Sequence, residues 1–483
     1  MEEIAFLPAR EIAALIARRE VGSRELLEVY LDRIARLDGD VRAVVALDAE
    51  RARARADAAD VALARGESWG PLHGVPMTIK DTFEVAGLRT TAGARELADH
   101  VPERDAVAVR RLLGAGAVIF GKTNVPFMAM DVQTYNAVHG RTDNPWDPSR
   151  TPGGSSGGAA AALAAGFTAL EYGSDIGGSI RTPANWCGVY GHKPTHGIVP
   201  HRGHIPGPPG THAEPDLGVV GPLGRSADDL DLALAVTAGP SGDRAVAWRL
   251  ELPAARRSRL RDYRVAAWLD DPAAPVAPEV ATCLRGAIDE LRRAGVTVDE
   301  DARPPYGLPD VVRTYQHLLF SVTVAGLPDP VFARLTATAS ELTGDDAYAR
   351  VARFGTCSHR EWLGANEARE RMRAGLGAFF RDYDVLLMPG AGVPAIPHDP
   401  TDPMTSRTID VGGVRRSYYD LFSWIALATL TFHPATMAPI GQTAAGLPVG
   451  LQIVGPYLED RTPIDFARGL AGLVGGFRRP PGF

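Results

Sequence analysis

The stretch Gly153–Pro183, GGSSGGAAAALAAGFTALEYGSDIGGSIRTP, constrains this chain more than any other. It sets two serine clusters, Ser155–Ser156 and Ser179, among glycines. Glycine lets a backbone approach a ligand closely and adopt positive φ angles. A serine in such a frame can present its hydroxyl beside free backbone N–H groups. Acyl transfer needs that pairing of a nucleophile with donors for the developing oxyanion. A flexible Gly/Ser linker is the competing interpretation. The run between the clusters, Ala159 to Tyr172, is apolar and suited to a core, which argues against it.

Only three of the 51 basic residues are lysines: Lys80, Lys122 and Lys193. A host bias toward arginine is the mundane cause. Under that bias a retained lysine can mark a place where arginine will not serve, because a buried lysine can lose its proton and act as a base. Each of the three can equally be structural.

At 483 residues the chain fits two domains or one large α/β domain with insertions. The composition, 45% hydrophobic and 23% charged, is that of an ordinary globular protein. A net charge of −7 argues weakly against nucleic acid and anionic membranes as partners. No basic segment leads into an apolar run, and no apolar stretch is long enough to span a bilayer. Cys187, Cys283 and Cys357 are too scattered for a disulfide framework. A cytoplasmic protein is the simplest expectation.

The first seventy residues predict helices over Pro8–Arg19, Arg24–Leu37 with Ser23 as N-cap, and Leu47–Arg65. Beyond Leu72, short apolar runs alternate with helical segments. Strands are expected at Val75–Ile79, with Lys80 at the end, and at Ala117–Phe120, Phe167–Tyr172, Val265–Leu269, Asp384–Met388 and Pro448–Gly455. Leu308–Arg381 reads as mostly helical. This alternation suggests crossover units and a largely parallel sheet.

Three motifs compete for the chemistry. GAVIFGKT (Gly116–Thr123) fits a phosphate-binding loop pattern, but its variable positions make a strand rather than a loop. Ser155 and Ser156 each fit G-x-S-x-G, but NPWDPSRTP before them cannot be the strand that a nucleophile elbow requires. His192, His196, His201, His204 and His212 could suggest a metal, yet the intervening prolines and glycines prevent a helix from aligning them. What remains is a Ser–Ser–Lys arrangement in which a desolvated lysine is the base. Position alone does not choose among the lysines.

The chain resembles the amidase signature family. The matching segments are HGVPMTIKD (His73–Asp81), GKTN (Gly121–Asn124), NPWDPSRTPGGSSGG (Asn144–Gly158), GSDIGGSIRTPANWCGVYGHKPT (Gly173–Thr195), GPLGRSADD (Gly221–Asp229), DVLLMP (Asp384–Pro389) and GLPVGLQIVGP (Gly446–Pro456). The resemblance implies an α/β/α layered fold around a large, mixed, twisted sheet. It implies a helical lead-in over 1–70, a signature core over 71–240, and a remainder over 241–483 with a helical insertion near 300–380 covering the pocket.

By the same resemblance, Ser179 is the nucleophile and Ser155 a bridging serine after a cis peptide. Lys80 is the base, and the amides of Ile176, Gly177, Gly178 and Ser179 are the oxyanion hole. Asp175 and Arg181 brace this loop, while Ser156, Lys122 and Lys193 are framework. No cofactor or metal is implied. Two departures stand out. Phe127 sits where Glu or Gln is common, with Met128, Ala129 and Met130 nearby, and Thr182 sits where many relatives of the tRNA-dependent amidotransferase carry Gln. Both point away from glutamine amidotransfer and toward an apolar pocket at Phe127, Ala129, Met130 and Thr182. A core role for Phe127 and Met128 is the bland alternative. The expectation is an amidase acting on small hydrophobic or aryl amides, with carbamate or ester side activity. Alternatives are a carbamate hydrolase (urethanase) or one component of a glutamine amidotransferase complex. The expected partner is a small-molecule substrate, with a homodimer left open.

Overall fold

The computed structural model describes residues 2–483. Its helices begin with α1 (Ala9–Ala17), α2 (Ser23–Val41), α3 (Ala49–Ala64) and α4 (Val107–Gly114). They continue with α5 (Gly157–Ala164), α6 (Arg181–Cys187), α7 (Ala227–Thr237) and α8 (Pro278–Arg293). The expected helical segment after 308 resolves into α9 (Leu308–Ala325), α10 (Asp329–Ala339), α11 (Ala347–Gly355) and α12 (His359–Phe379). A short α13 (Ala426–Leu430) and a closing α14 (Arg461–Val474) follow, and a single helical turn lies at Arg244–Ala247.

Ser23 is not the N-cap of α2. It is the first helical residue, and the Asp60 carboxylate of α3 accepts the amides of Ser23 and Arg24 at 2.7 and 3.0 Å. Ser23 Oγ instead donates to Gly74 O at 2.6 Å. A short hydroxyl takes whichever backbone partner the tertiary fold offers.

Strands β1 (Val44–Leu47), β2 (Pro76–Lys80) and β3 (Val118–Thr123) form a small sheet in the order β1-β3-β2. Every residue of β2 and β3 is buried, as expected of strands covered on both faces. The large sheet comprises β4 (Glu171–Asp175), β5 (Tyr190–Lys193), β6 (Val219–Gly224), β7 (Val265–Ala267), β8 (Val298–Asp299), β9 (Val385–Pro389), β10 (Ala435–Gln442) and β11 (Pro448–Val454). Its order is β8-β7-β9-β11-β10-β5-β6-β4.

This sheet is mixed, and the expectation that it is largely parallel is corrected. Parallel pairing is confined to β8-β7-β9, where α8 makes the crossover. The remaining neighbours pair antiparallel. The cause lies in β6 (VVGPLG) and β10 (ATMAPIGQ), whose internal prolines hide them from a sequence reading. β6 inserts between β4 and β5 and runs antiparallel to both.

The strand expected over Phe167–Tyr172 is displaced to β4. Gly166 turns the chain after α5 with φ +69°. Thr168 Oγ1 then accepts the Thr78 amide at 2.9 Å and donates to Leu170 O at 3.0 Å, so this segment makes side-chain bonds instead of ladder bonds. Those bonds, with Thr78 Oγ1 donating to Glu171 Oε1 at 2.5 Å, join β2 to β4 and bring the two sheets together.

Helices flank the large sheet. α5 and α6 pack on each other and against β4, β10 and β11, while α7, α8 and α14 pack against β5, β6 and β10. No helix of the described residues is long and apolar enough to cross a membrane.

Candidate active site

Lys80 is the last residue of β2 and is fully buried. Its Nζ donates to Ser155 Oγ at 2.7 Å and to Ser174 Oγ at 2.9 Å. Burial disfavours the charged ammonium and lowers the lysine to about 7, although Asp175 and Glu171 pull the other way. Burial lowers Lys193 to about 7 as well, but its Nζ donates to Pro194 O at 2.9 Å. Lys122 Nζ donates to Thr90 Oγ1 at 2.8 Å and lies 3.4 Å from Asp81 Oδ1. Of the three lysines, Lys80 alone meets the serines of the glycine-framed stretch.

The first serine cluster opens α5. The Gly154–Ser155 peptide is cis. A Cβ on Gly154 would stand 2.5 Å from Asp131 O, so only glycine lets the 131–133 backbone close over this turn. Ser156 N donates to Ser179 O at 3.1 Å, which joins the two serine clusters directly.

The second cluster lies between β4 and α6. Asp175, at the end of β4, organises it. Its carboxylate accepts the amides of Gly178 (3.0 Å), Ile180 (3.1 Å) and Arg181 (3.3 Å). It also takes the Arg181 guanidinium at 3.0 and 2.8 Å. Burial alone would raise this carboxyl, but Arg181 outweighs it and holds Asp175 below its ordinary value. Arg181 reaches onward to Ile425 O, Gln452 Oε1 and Thr429 Oγ1 at 2.9, 2.6 and 2.6 Å. The loop is thereby clamped to α13 and β11.

Gly178 has φ +83°, and a Cβ there would lie 2.8 Å from Thr182 Oγ1. Its amide is taken by Asp175, whereas the amides of Ile176, Gly177 and Ser179 have no acceptor among the described residues. These three are the donors left to meet a negative oxygen. Tyr315 of α9 crosses to this loop and donates to Ile176 O at 2.8 Å.

Thr182 is buried beneath the Gly178 turn. Phe127 is 47% exposed and opens the turn that carries Met128 and Ala129 at φ 48° and 58°, with Met130 and Ala129 half-buried. Met128 N donates to Ala92 O at 2.8 Å. This turn leads straight into Asp131, whose carbonyl covers Gly154.

The histidines go elsewhere. His192 bonds Thr436 and Asp460 at 2.9 and 3.1 Å, and His196 stacks on Phe432. Among the described residues, no three His, Cys, Asp or Glu side chains converge as a metal site.

Sequence reasoning missed Ser174 and Glu171. Ser174 is in the same glycine frame as Ser179, but only the seam between β2 and β4 places its hydroxyl on Lys80. Glu171 becomes meaningful for the same reason. Burial pushes its carboxyl up to about 7 against the hydrogen bond from Thr78.

The amidase family model matches residues 25–463. The chain belongs to the amidase signature family. It is 35% identical to a glutamyl-tRNA(Gln) amidotransferase subunit from Moorella thermoacetica, over 95% of this chain and 94% of that one. Among solved structures, a bacterial aryl acylamidase of the amidase signature family superposes with a TM-score of 0.80 at 26% identity, covering 97% and 96% of the two chains. A chain of a vestigial protein complex, linked to the evolutionary origins of an s-triazine catabolic enzyme, gives 0.82 at 28% identity over 98% and 99%.

Proposed function

We propose that this amidase signature protein hydrolyses C–N acyl bonds through Lys80, Ser155 and Ser179. The observation that carries the proposal is the buried Lys80 Nζ, 2.7 Å from Ser155 Oγ and poised to be neutral near pH 7. Ser179 Oγ bonds to the substrate carbonyl carbon. Its proton passes to Ser155 Oγ as the Ser155 proton passes to Lys80 Nζ. The oxyanion rests on the amides of Ile176, Gly177 and Ser179, with Gly178 supplying the turn. On collapse the C–N bond breaks, and the amine leaves with the proton returned through Ser155. Water then repeats the sequence on the acyl-enzyme.

Substrates are small, uncharged hydrophobic or aryl amides. The proposed acyl or leaving-group pocket is at Phe127, Ala129, Met130 and Thr182, and Tyr315 of α9 donates to Ile176 O of the neighbouring loop. Carbamates and esters present the same carbonyl and are turned over as side reactions or, in the alternative, carbamates are the main substrates. A hydrolysis panel of aryl amides, aliphatic amides, carbamates and esters tests this, with mass spectrometry of the trapped acyl-enzyme. A label on Ser155 in place of Ser179 would reverse the two serine roles.

A second reading is favoured by the 35% identity to one component of an amidotransferase: the chain could release ammonia from glutamine within a complex. Glutamine turnover that emerges only with partner proteins, alongside a blank panel, would select it.

A further inference from the structure

A cavity of about 240 Å³ lies between the loop at Gly203 and the start of α4. Its walls are built from fixed backbone. Gly203 O accepts the Glu84 amide at 2.9 Å, Arg202 O accepts that of Val107 at 3.0 Å, and Glu84 O accepts that of Ala106 at 2.8 Å. A Cβ on Gly203 would stand 2.5 Å from Ala106 Cα, so the loop cannot be held this close to α4 with any other residue.

Three arginines line this cavity: Arg104, Arg110 and Arg202. Among the described residues none of them has a carboxylate within 4.0 Å. The two acids on the lining face their own partners. Glu84 Oε1 is 3.1 Å from His100 Nε2, and Asp105 Oδ1 accepts the Ala86 amide at 2.8 Å. All three are solvent-exposed, so the cavity carries a positive rim without carboxylate partners in a chain of net charge −7. The volume is below the roughly 300–1,000 Å³ that drug-sized ligands occupy, which selects a compact ligand. Guanidinium forks match the geometry of phosphate and carboxylate oxygens.

We infer that the cavity between the Gly203 loop and α4 binds a compact oxyanion of the phosphate class. The site does not rest on the acyl-transfer reading, and its test needs no activity. Its floor nevertheless reaches the proposed base: His204, on the lining, lies 2.9 Å from Thr82 Oγ1, two residues beyond Lys80.

Isothermal titration of the full chain with inorganic phosphate, at constant ionic strength, tests the site. Saturable binding to one site is expected, weakened at least tenfold in Arg202→Ala and in the Arg104→Ala/Arg110→Ala double variant. Arg202→Lys keeps the charge without the fork and should bind with intermediate affinity. Arg65→Ala, at an exposed arginine away from the cavity, should bind like the parent. Phenyl phosphate in a parallel titration separates a free oxyanion from a phosphate ester as the occupant, and tighter binding of either supports the site. Absent or non-saturable binding of both, or equal weakening in Arg65→Ala, overturns it.

Discussion

A lysine lowered to about 7 is half neutral near physiological pH, where an ordinary lysine is almost wholly charged. Lys80 can therefore accept a proton without first losing one at high energetic cost. Only the neutral amine is a base, so kcat/KM should rise with pH through about 7 and stand at roughly a tenth of its plateau one unit lower. Lys80→Met should abolish turnover, with the thermal midpoint measured alongside to show that the variant is folded. A flat pH profile, or near-parental turnover in the folded variant, would remove Lys80 from the role of base. Ser174 shares the Lys80 amine with Ser155, at 2.9 Å against 2.7 Å. Removing its hydroxyl frees the amine to reorient. Ser174→Ala should cost about 10–100-fold in kcat with KM little changed, measured on the best amide of the panel.

Among the elements, α2 shows how a helix can be started by another helix. Its first amides are capped by Asp60, which is thirty-six residues downstream of Arg24 in sequence but adjacent in space. Asp60→Ala should cost about 1–2 kcal/mol in chemical denaturation and leave kcat/KM unchanged, since α2 touches none of the reacting groups. Ser23 fits the N-cap pattern in sequence, but the tertiary partner Gly74 claims its hydroxyl. The same limit explains the sheet. The α8 crossover and the hydrophobic runs of β7, β9 and β11 are legible because their spacing is local. β6 and β10 are not legible, because Pro222 and Pro439 mark them as loops until their neighbours are known. Motif resemblance singles out Lys80, Ser155 and Ser179, and the structure sets Lys80 on Ser155 and joins the two serine clusters through Ser156 N and Ser179 O. Ser174 is not singled out, because its meaning comes from the seam between two sheets.

At the scale of the whole molecule, one buried ion pair ties the Asp175–Arg181 loop to distant chain. Asp175 and Arg181 are both fully buried, and Arg181 continues to α13 and to Gln452 of β11, 271 residues away in sequence. A buried charge deprived of its partner costs about 3–5 kcal/mol. Asp175→Ala also releases the amides of Gly178, Ile180 and Arg181 together. It should lower the stability to denaturation by that order and abolish turnover at once, whereas Asp60→Ala separates the two readouts.

The three lysines have a consequence beyond catalysis. Each is fully buried, so the folded surface offers no lysine ε-amine to solvent. Amine-directed crosslinkers, acylating dyes and lysine-specific endoproteinases should be blind to the folded chain at every lysine. Cleavage after Lys80, Lys122 or Lys193 then requires opening of the sheets themselves, and its rate reports the population of globally unfolded molecules rather than the fraying of loops.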